Sequence, residues 1–251
     1  MLRLILLVSL MIQMLIPSVA TAHPSQNPWV YSPRTLAPGQ WEYEQSITWK
    51  TDKQSDSNYD EFRINHEIEW GVTDALQLAL YADWRNKETS SSEEHTYFHD
   101  IALEAIYQLQ APNPEQLGFA LYGEIKHGSE FLELEGKLLF EMQLENINLL
   151  YNFTVEGEWE GQDFDEDKGK VEHALAITHE LNPSTTVGMQ AVWEIEIEEL
   201  DHRGDDIVSI GPSMAWQSAD GWFVTVAPLW QVTDVDSEPD LQIRMLFGID
   251  F

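Results

Sequence analysis

Carboxylates recur two residues apart along this chain, as Glu42 and Glu44 in WEYEQ, Glu67 and Glu69 in HEIEW, and Glu133 and Glu135 in FLELE. In an extended chain such residues share one face, so each pair aims two negative charges the same way. The chemistry open to that face is electrostatic, since rings of carboxylates bias a pore toward cations. Nucleophilic chemistry has less to stand on. A Ser–His hydrolase on a barrel wall needs both residues side by side. His66, His173 and His179 fall on the parity opposite the acids with no convincing serine among them, while Ser209 and Ser213 fall on the acidic parity. No enzyme is expected. His95, His127 and His202 lie in expected loops, too scattered for a metal site. Asp163, Asp165 and Asp167 in DFDEDKG have the spacing of a calcium loop, but Lys168 stands where such a loop needs Gly and Ala174 where it needs a bidentate Glu. No metal or cofactor is expected. Asn152-Phe153-Thr154 matches a glycosylation sequon in mid-strand and carries no weight.

The formal net charge of the 251 residues is -31, which argues against nucleic acid as a partner. Residues 1–22 combine a short basic start, an apolar run and the small-residue site Ala20-Thr21-Ala22, so they read as a cleaved signal peptide. With no cysteine, disulfides, a lipidated cysteine and thiolate chemistry are all excluded. Beyond the signal no apolar run approaches the ~20 residues of a spanning helix, so only a barrel could cross a bilayer.

The elements that must carry the carboxylates are strands. Residues 23–40 are Pro-rich and aperiodic and read as an extended periplasmic lead-in, the alternative being a segment laid across the periplasmic mouth. From Trp41 onward polar and apolar residues alternate, giving strands near 41–50, 62–70, 76–84, 97–109, 117–126, 131–143, 147–156, 170–181, 185–195, 207–217, 222–232 and 240–251. Short connections take turns with longer acidic ones such as TDKQSDSNYD, NKETSSSEEHT and EIEELDHRGDD; QAPNPEQ and HGSE break the rule. The fold class expected is all-β, with residues 41–251 forming a closed antiparallel transmembrane β-barrel of about 12 strands. A soluble β-sandwich would also alternate, but it has no reason to place aromatics at strand ends, as Trp41, Trp49, Trp70, Trp84, Trp193, Trp216, Trp222 and Trp230 are placed. In FLELEGKLLFEMQ a slip of one residue would turn Glu133, Glu135, Lys137 and Glu141 to hydrocarbon. A basic residue at the midplane costs up to ~2–4 kcal/mol and an acid somewhat less, which fixes the register.

The closing LQIRMLFGIDF, with Phe247, Ile249 and Phe251 on one parity, resembles the C-terminal signal by which Gram-negative outer-membrane proteins reach the barrel-assembly machinery. TLAPGQWEYEQSITW and HEIEWGVTDALQLALYADW are similar to the opening hairpins of uncharacterised, transporter-like (porin-like) outer-membrane families. The resemblance implies the cell outer membrane as location. It implies its lipid, its lipopolysaccharide and the assembly machinery as partners.

With the faces fixed, the expected lumen and solute pathway comprises Glu67, Glu69, Asp83, Asp100, Glu104, Glu124, Glu133, Glu135, Arg63, Arg85 and Arg244. Twelve strands ~4.8 Å apart and tilted ~40° close at a radius of about 12 Å, leaving at most a narrow bore. The function expected is a passive, cation-favouring channel or transporter-like pore for small solutes. The alternative is a closed structural or surface-interaction barrel acting through its acidic outer loops. Those loops could share divalent cations with lipopolysaccharide phosphates, the plainer reading being a solvated acidic surface. An outer-membrane hydrolase and a soluble secreted β-protein are the remaining alternatives.

Overall fold

The computed structural model describes residues 27–161, 166–199 and 202–251, with the side chains of 93, 94 and 166 left aside. The signal-peptide reading, the start of the lead-in, and Asp163 and Asp165 lie outside the described residues. Twelve strands follow one another: β1 (Trp41–Lys53), β2 (Asp56–Thr73), β3 (Leu76–Thr89), β4 (Ser92–Gln110), β5 (Gly118–Gly128), β6 (Phe131–Leu144), β7 (Ile147–Glu160), β8 (Glu166–Asn182), β9 (Thr185–Glu198), β10 (His202–Gln217), β11 (Trp222–Gln231) and β12 (Pro239–Asp250). Each pairs antiparallel with its neighbours, and β1 pairs with β12 to close the barrel. The seam is completed beyond the last strand, where Trp41 and Phe251 exchange backbone hydrogen bonds of 3.2 and 2.9 Å.

Both faces follow the alternation. Leu80, Ile101, Leu103, Leu134, Leu138, Leu175, Met214 and Met245 stand exposed on the outer wall, while Glu42, Glu44, Gln77, Asp83, Glu133 and Glu141 are buried inside. Exposed apolar side chains in that number are tolerable only against hydrocarbon. Aromatic pairs mark the thickness of the apolar band. Trp41 and Trp49, Phe62 and Trp70, and Trp222 and Trp230 each sit eight residues apart on one strand. That interval spans about 27 Å of strand, or roughly 21 Å along the barrel axis at ~40° tilt, close to the apolar height of membrane barrels. Trp41 stacks on Trp70 at 5.5 Å, and Trp49 on Phe62 at 6.0 Å.

Two expectations need correction. TDKQSDSNYD, NKETSSSEEHT and EIEELDHRGDD are not loops for most of their length: β1 to β4, β9 and β10 run through them, and His95, His127 and His202 lie in strands. Beyond the bilayer both faces of a strand meet water, so the alternation that marks a strand vanishes although its ladder continues. The hairpin tips are also tied together. The Asp56 carboxylate accepts from the Ser90 amide at 3.1 Å and its hydroxyl at 2.5 Å, and Gln54 donates to Asp234 at 2.7 Å.

The second correction concerns the described part of the lead-in, residues 27–40. It does not trail away from the barrel but folds into it, with Val30 only 1% exposed. The chain reaches β1 through a turn at Gly39, whose φ of +83° suits glycine. There it passes so close to β2 that a Cβ on Gly71 would stand 2.2 Å from the Ala37 carbonyl oxygen.

Candidate functional site

The lumen holds a cavity of about 610 Å³ that extends from Glu42 near the short-turn end to Glu158 and Glu238 near the long hairpins. Its lining includes ten of the eleven side chains expected from sequence: Glu67, Glu69, Asp83, Asp100, Glu124, Glu133, Glu135, Arg63, Arg85 and Arg244. Glu104 also points inward, but it is 1% exposed and does not face the open cavity. The structure divides these residues into three environments.

Toward the long hairpins the charges are paired. Arg63 bonds Glu61, Arg85 meets Asp83 at 3.4 Å, Lys126 holds Glu124 at 3.0 Å and Glu133 at 2.8 Å, and Lys137 holds Glu135 at 2.8 Å. Tyr122 donates to Glu124 at 2.8 Å and Tyr81 donates to the same oxygen. Each cation here sits on a lumen face next to an acid on its own or an adjacent strand, as the registers Lys126↔Glu133 and Glu124↔Glu135 require.

Toward the turn end, on β1, β2 and β4, acids gather without bases. The register sets Glu42 opposite Glu69 and Glu44 opposite Glu67, making a square of carboxylates. Glu69 lies opposite Ala79, and Ala79 opposite Glu104, so only a methyl group separates those two acids across three strands. Oxygens of Glu67, Glu69 and Glu104 lie within 4.8 Å of one another, as do those of Glu42, Glu44 and Glu69. Among the described residues none of these five carboxylates is ion-paired. Glu69 accepts from Gln77 at 2.8 Å. Two unit charges within 4.8 Å of each other repel by roughly 3 kcal/mol or more at an effective dielectric of about 20. Such a cluster attracts protons or cations strongly.

The third environment is the bed of the N-terminal segment. Asn152 clamps the Tyr31 backbone from both sides, accepting from its N–H at 2.6 Å and donating to its carbonyl at 2.9 Å. Arg34 donates to both oxygens of Glu141, at 2.8 and 3.3 Å, and the Ser32 hydroxyl donates to the same carboxylate at 2.6 Å. Gln108 donates to the Pro33 carbonyl at 2.9 Å, and the Leu36 N–H donates to Gln77 at 2.8 Å. Arg244 lies 3.9 Å from the Trp29 ring centroid and donates to the Pro28 carbonyl, so this expected pathway residue spends its charge on the segment. Apolar contacts complete the bed: Trp29 and Val30 join Leu150, Ala174 and Ala176, while Tyr31 packs on the cluster of Ile106, Ala120, Tyr122 and Leu139 and meets Tyr122 edge-on at 5.2 Å.

Sequence reasoning that counts only charges on the inward parity misses this bed. The signal was present in Ile106, Ala120, Leu139, Leu150, Ala174 and Ala176, apolar side chains on the water-facing parity near the short turns. An apolar strip inside a wet lumen needs a cover, and Trp29, Val30 and Tyr31 supply one. Asn152, set aside as a chance sequon, is its main polar anchor.

On the outer wall, His66 is bonded to the Tyr43 hydroxyl at 2.7 Å and His173 to the Tyr151 hydroxyl at 2.8 Å. His173 also stacks on Trp193 at 5.1 Å, and His66 meets Trp84 edge-on at 5.5 Å. These histidines are partnered by tyrosine rather than serine.

The barrel as a whole is similar to solved outer-membrane barrels. An outer membrane channel from Pseudomonas putida F1 superposes with a TM-score of 0.70 at 9% identity, covering 92% of this chain and 100% of the other. The NanC porin gives 0.58 at 7% identity over 83% and 98%, and the KdgM porin in complex with disordered oligogalacturonate gives 0.54 at 9% over 84% and 98%. Identities this low speak for the fold alone. No curated protein matches the chain in sequence. The sequence model of a family of unknown function, DUF6662, matches residues 19–150, over half of the chain, and the protein belongs to that family.

Proposed function

We propose that the protein is an outer-membrane channel for small solutes that favours cations, with its N-terminal segment narrowing the lumen. One observation supports the cation preference above the others. Following the strand registers around the wall gives a continuous inward row of Asp250, Glu42, Glu69, Ala79, Glu104, Glu124, Glu135 and Glu156, in which Ala79 alone is not an acid. Strands in a barrel tilt by ~40°, so a row perpendicular to them climbs the wall as it circles. The row therefore starts near the short turns and rises toward the long hairpins, carrying carboxylates on seven of the eight strands it crosses from β12 to β7 before it meets Lys170 on β8. Fifteen carboxylates and eight cationic side chains line the cavity, and the cations are largely spent on neighbouring acids or on the N-terminal segment. Electrostatic selection of this kind asks for multiple weak sites rather than one tight one. The same reading places the barrel among lipid and lipopolysaccharide, delivered there by way of its C-terminal strand.

The test is planar-bilayer recording on refolded protein. The expected result is conductance above a lipid-only control, with a reversal potential in a KCl gradient that reports cation preference. The preference should shrink when Glu67 and Glu69 are both changed to Gln. Anion preference, or bilayers no more conductive than lipid alone, would overturn the proposal.

A further inference from the structure

We infer that Glu67, Glu69 and Glu104 form a binding site for one divalent cation of the calcium class in the lumen wall. The geometry fits such an ion. Calcium takes oxygen ligands at about 2.3–2.6 Å, so ligands on opposite sides of it stand roughly 4.6–5.2 Å apart. The three carboxylates present oxygens within 4.8 Å of one another, close enough for one ion to touch all three, and the near-ideal octahedron and reluctant dehydration of magnesium suit an all-carboxylate wall less well than the flexible sphere of calcium. An acidic cluster alone would not identify a site. The second observation is the state of Glu104: the residue is 1% exposed, yet neither of its carboxylate oxygens has a hydrogen-bond partner among the described residues, the nearby Tyr122 hydroxyl donating to Glu124 instead. A buried carboxylate without a donor is costly, and burying an acid against two others is costlier still. A cation between them supplies the missing partner to all three.

The surroundings agree with that assignment. Glu67 and Glu69 line the open cavity, so a hydrated ion arrives at them from the lumen and Glu104 completes its shell from the wall. Ala79, between Glu69 and Glu104 in the register, is too small to fill the space. Tyr31 packs on the cluster of Ile106, Ala120, Tyr122 and Leu139, in which Ile106 is the next inward residue of β4 after Glu104, and so brings the N-terminal segment to the border of the site. The remaining ligands of a six- to eight-coordinate ion would be water from the cavity. Glu42 has an unpartnered oxygen of its own and lies in the adjoining triad with Glu44, which keeps the field around the site negative.

The site shares residues with the conduit but not its premise, because a barrel that passes no current can still bind the ion. Isothermal titration of calcium into the refolded full-length chain in detergent, stripped of metal beforehand, tests it. Saturable binding of one ion per chain is expected, weaker for magnesium, with a dissociation constant of order 10⁻⁵–10⁻³ M. Glu104→Gln should weaken it by roughly tenfold or more, since it removes one charge from three. Glu115→Gln, at an exposed turn outside the lumen lining, should leave it unchanged. Should Glu104→Gln fail to show heat-modifiable migration, Glu67→Gln serves in its place, at a residue less deeply enclosed. Absence of saturable binding, or binding by Glu104→Gln or Glu67→Gln equal to that of the unaltered chain, would assign any calcium affinity to surface acids and overturn the inference.

Discussion

Asn152 illustrates how much one inward side chain can decide. Its amide makes two hydrogen bonds to the Tyr31 backbone, in an environment shared with Val30 and Leu150. Replacing it with Ala leaves a backbone N–H and C=O of the inserted segment unsatisfied, at a cost of roughly 2–3 kcal/mol to the inserted state. Arg34 is the sole basic residue of 27–40, and in the inserted state it is held by Glu141. Trypsin should therefore spare the Arg34–Thr35 bond in the unaltered barrel and cut it at least several-fold faster in Asn152→Ala, because cleavage tracks the open population when opening is rapid. Equal cutting rates, followed by mass spectrometry, would show that Asn152 does not hold the segment. Sequence alone could not promote this residue. The same Asn on an outward position would have been an ordinary surface amide, and its role depends on what the lumen brings opposite to it.

The N-terminal segment is the element with the largest claim on conduction. It contributes Asn27 to Ser32 and Arg34 to Leu36 to the lining of the cavity, on the side where apolar wall residues would otherwise face water. Deleting residues 27–36 removes about ten residues of packed chain from a barrel whose backbone radius is about 12 Å. Single-channel conductance should rise by a factor of two or more on the area argument, while gel migration stays heat-modifiable, because no strand pairing involves these residues. An unchanged conductance would mean that the narrowest point lies elsewhere, among the paired charges of Arg63, Arg85 and Lys126. Proline content suggested an irregular segment. It gave no sign of where the segment lies, since an aperiodic stretch carries no face to assign, and the complementary strip on β4 to β8 was read as background.

Closure of the barrel is a property of the entire chain, and it rests on contacts between residues about 200 apart in sequence, from Glu42↔Asp250 to Lys53↔Pro239. The last bonds of that seam are the pair between Trp41 and Phe251. Removing Phe251 deletes both of them together with an apolar side chain at the interface, so the folded fraction on a heat-modifiability gel should drop, most clearly when the outer membrane is fractionated from cells rather than after refolding. A folded fraction matching the full-length chain in both settings would deny the terminal residue any part in assembly. Lysine–acid pairing is concentrated on one arc of the wall, β5 to β8. Lys126, Lys137 and Lys170 each bond acids there, while the carboxylate cluster without bases lies on β1, β2 and β4.

The twelve strands, their inward and outward faces and the acidic character of the interior follow from parity, because neighbouring side chains of an extended chain must point opposite ways and the outer set must match hydrocarbon. Those properties are local and repeat every two residues, so a single sequence displays them. Which acids find a lysine, which are left together, and what lies across the lumen are set by registers and by chain folded back inside, and these join positions far apart along the backbone. Glu104 and Glu124 are equivalent inward glutamates in sequence. Only the closed barrel seats one beside Lys126 and two tyrosines and buries the other among carboxylates, with the nearby Tyr122 hydroxyl donating to Glu124.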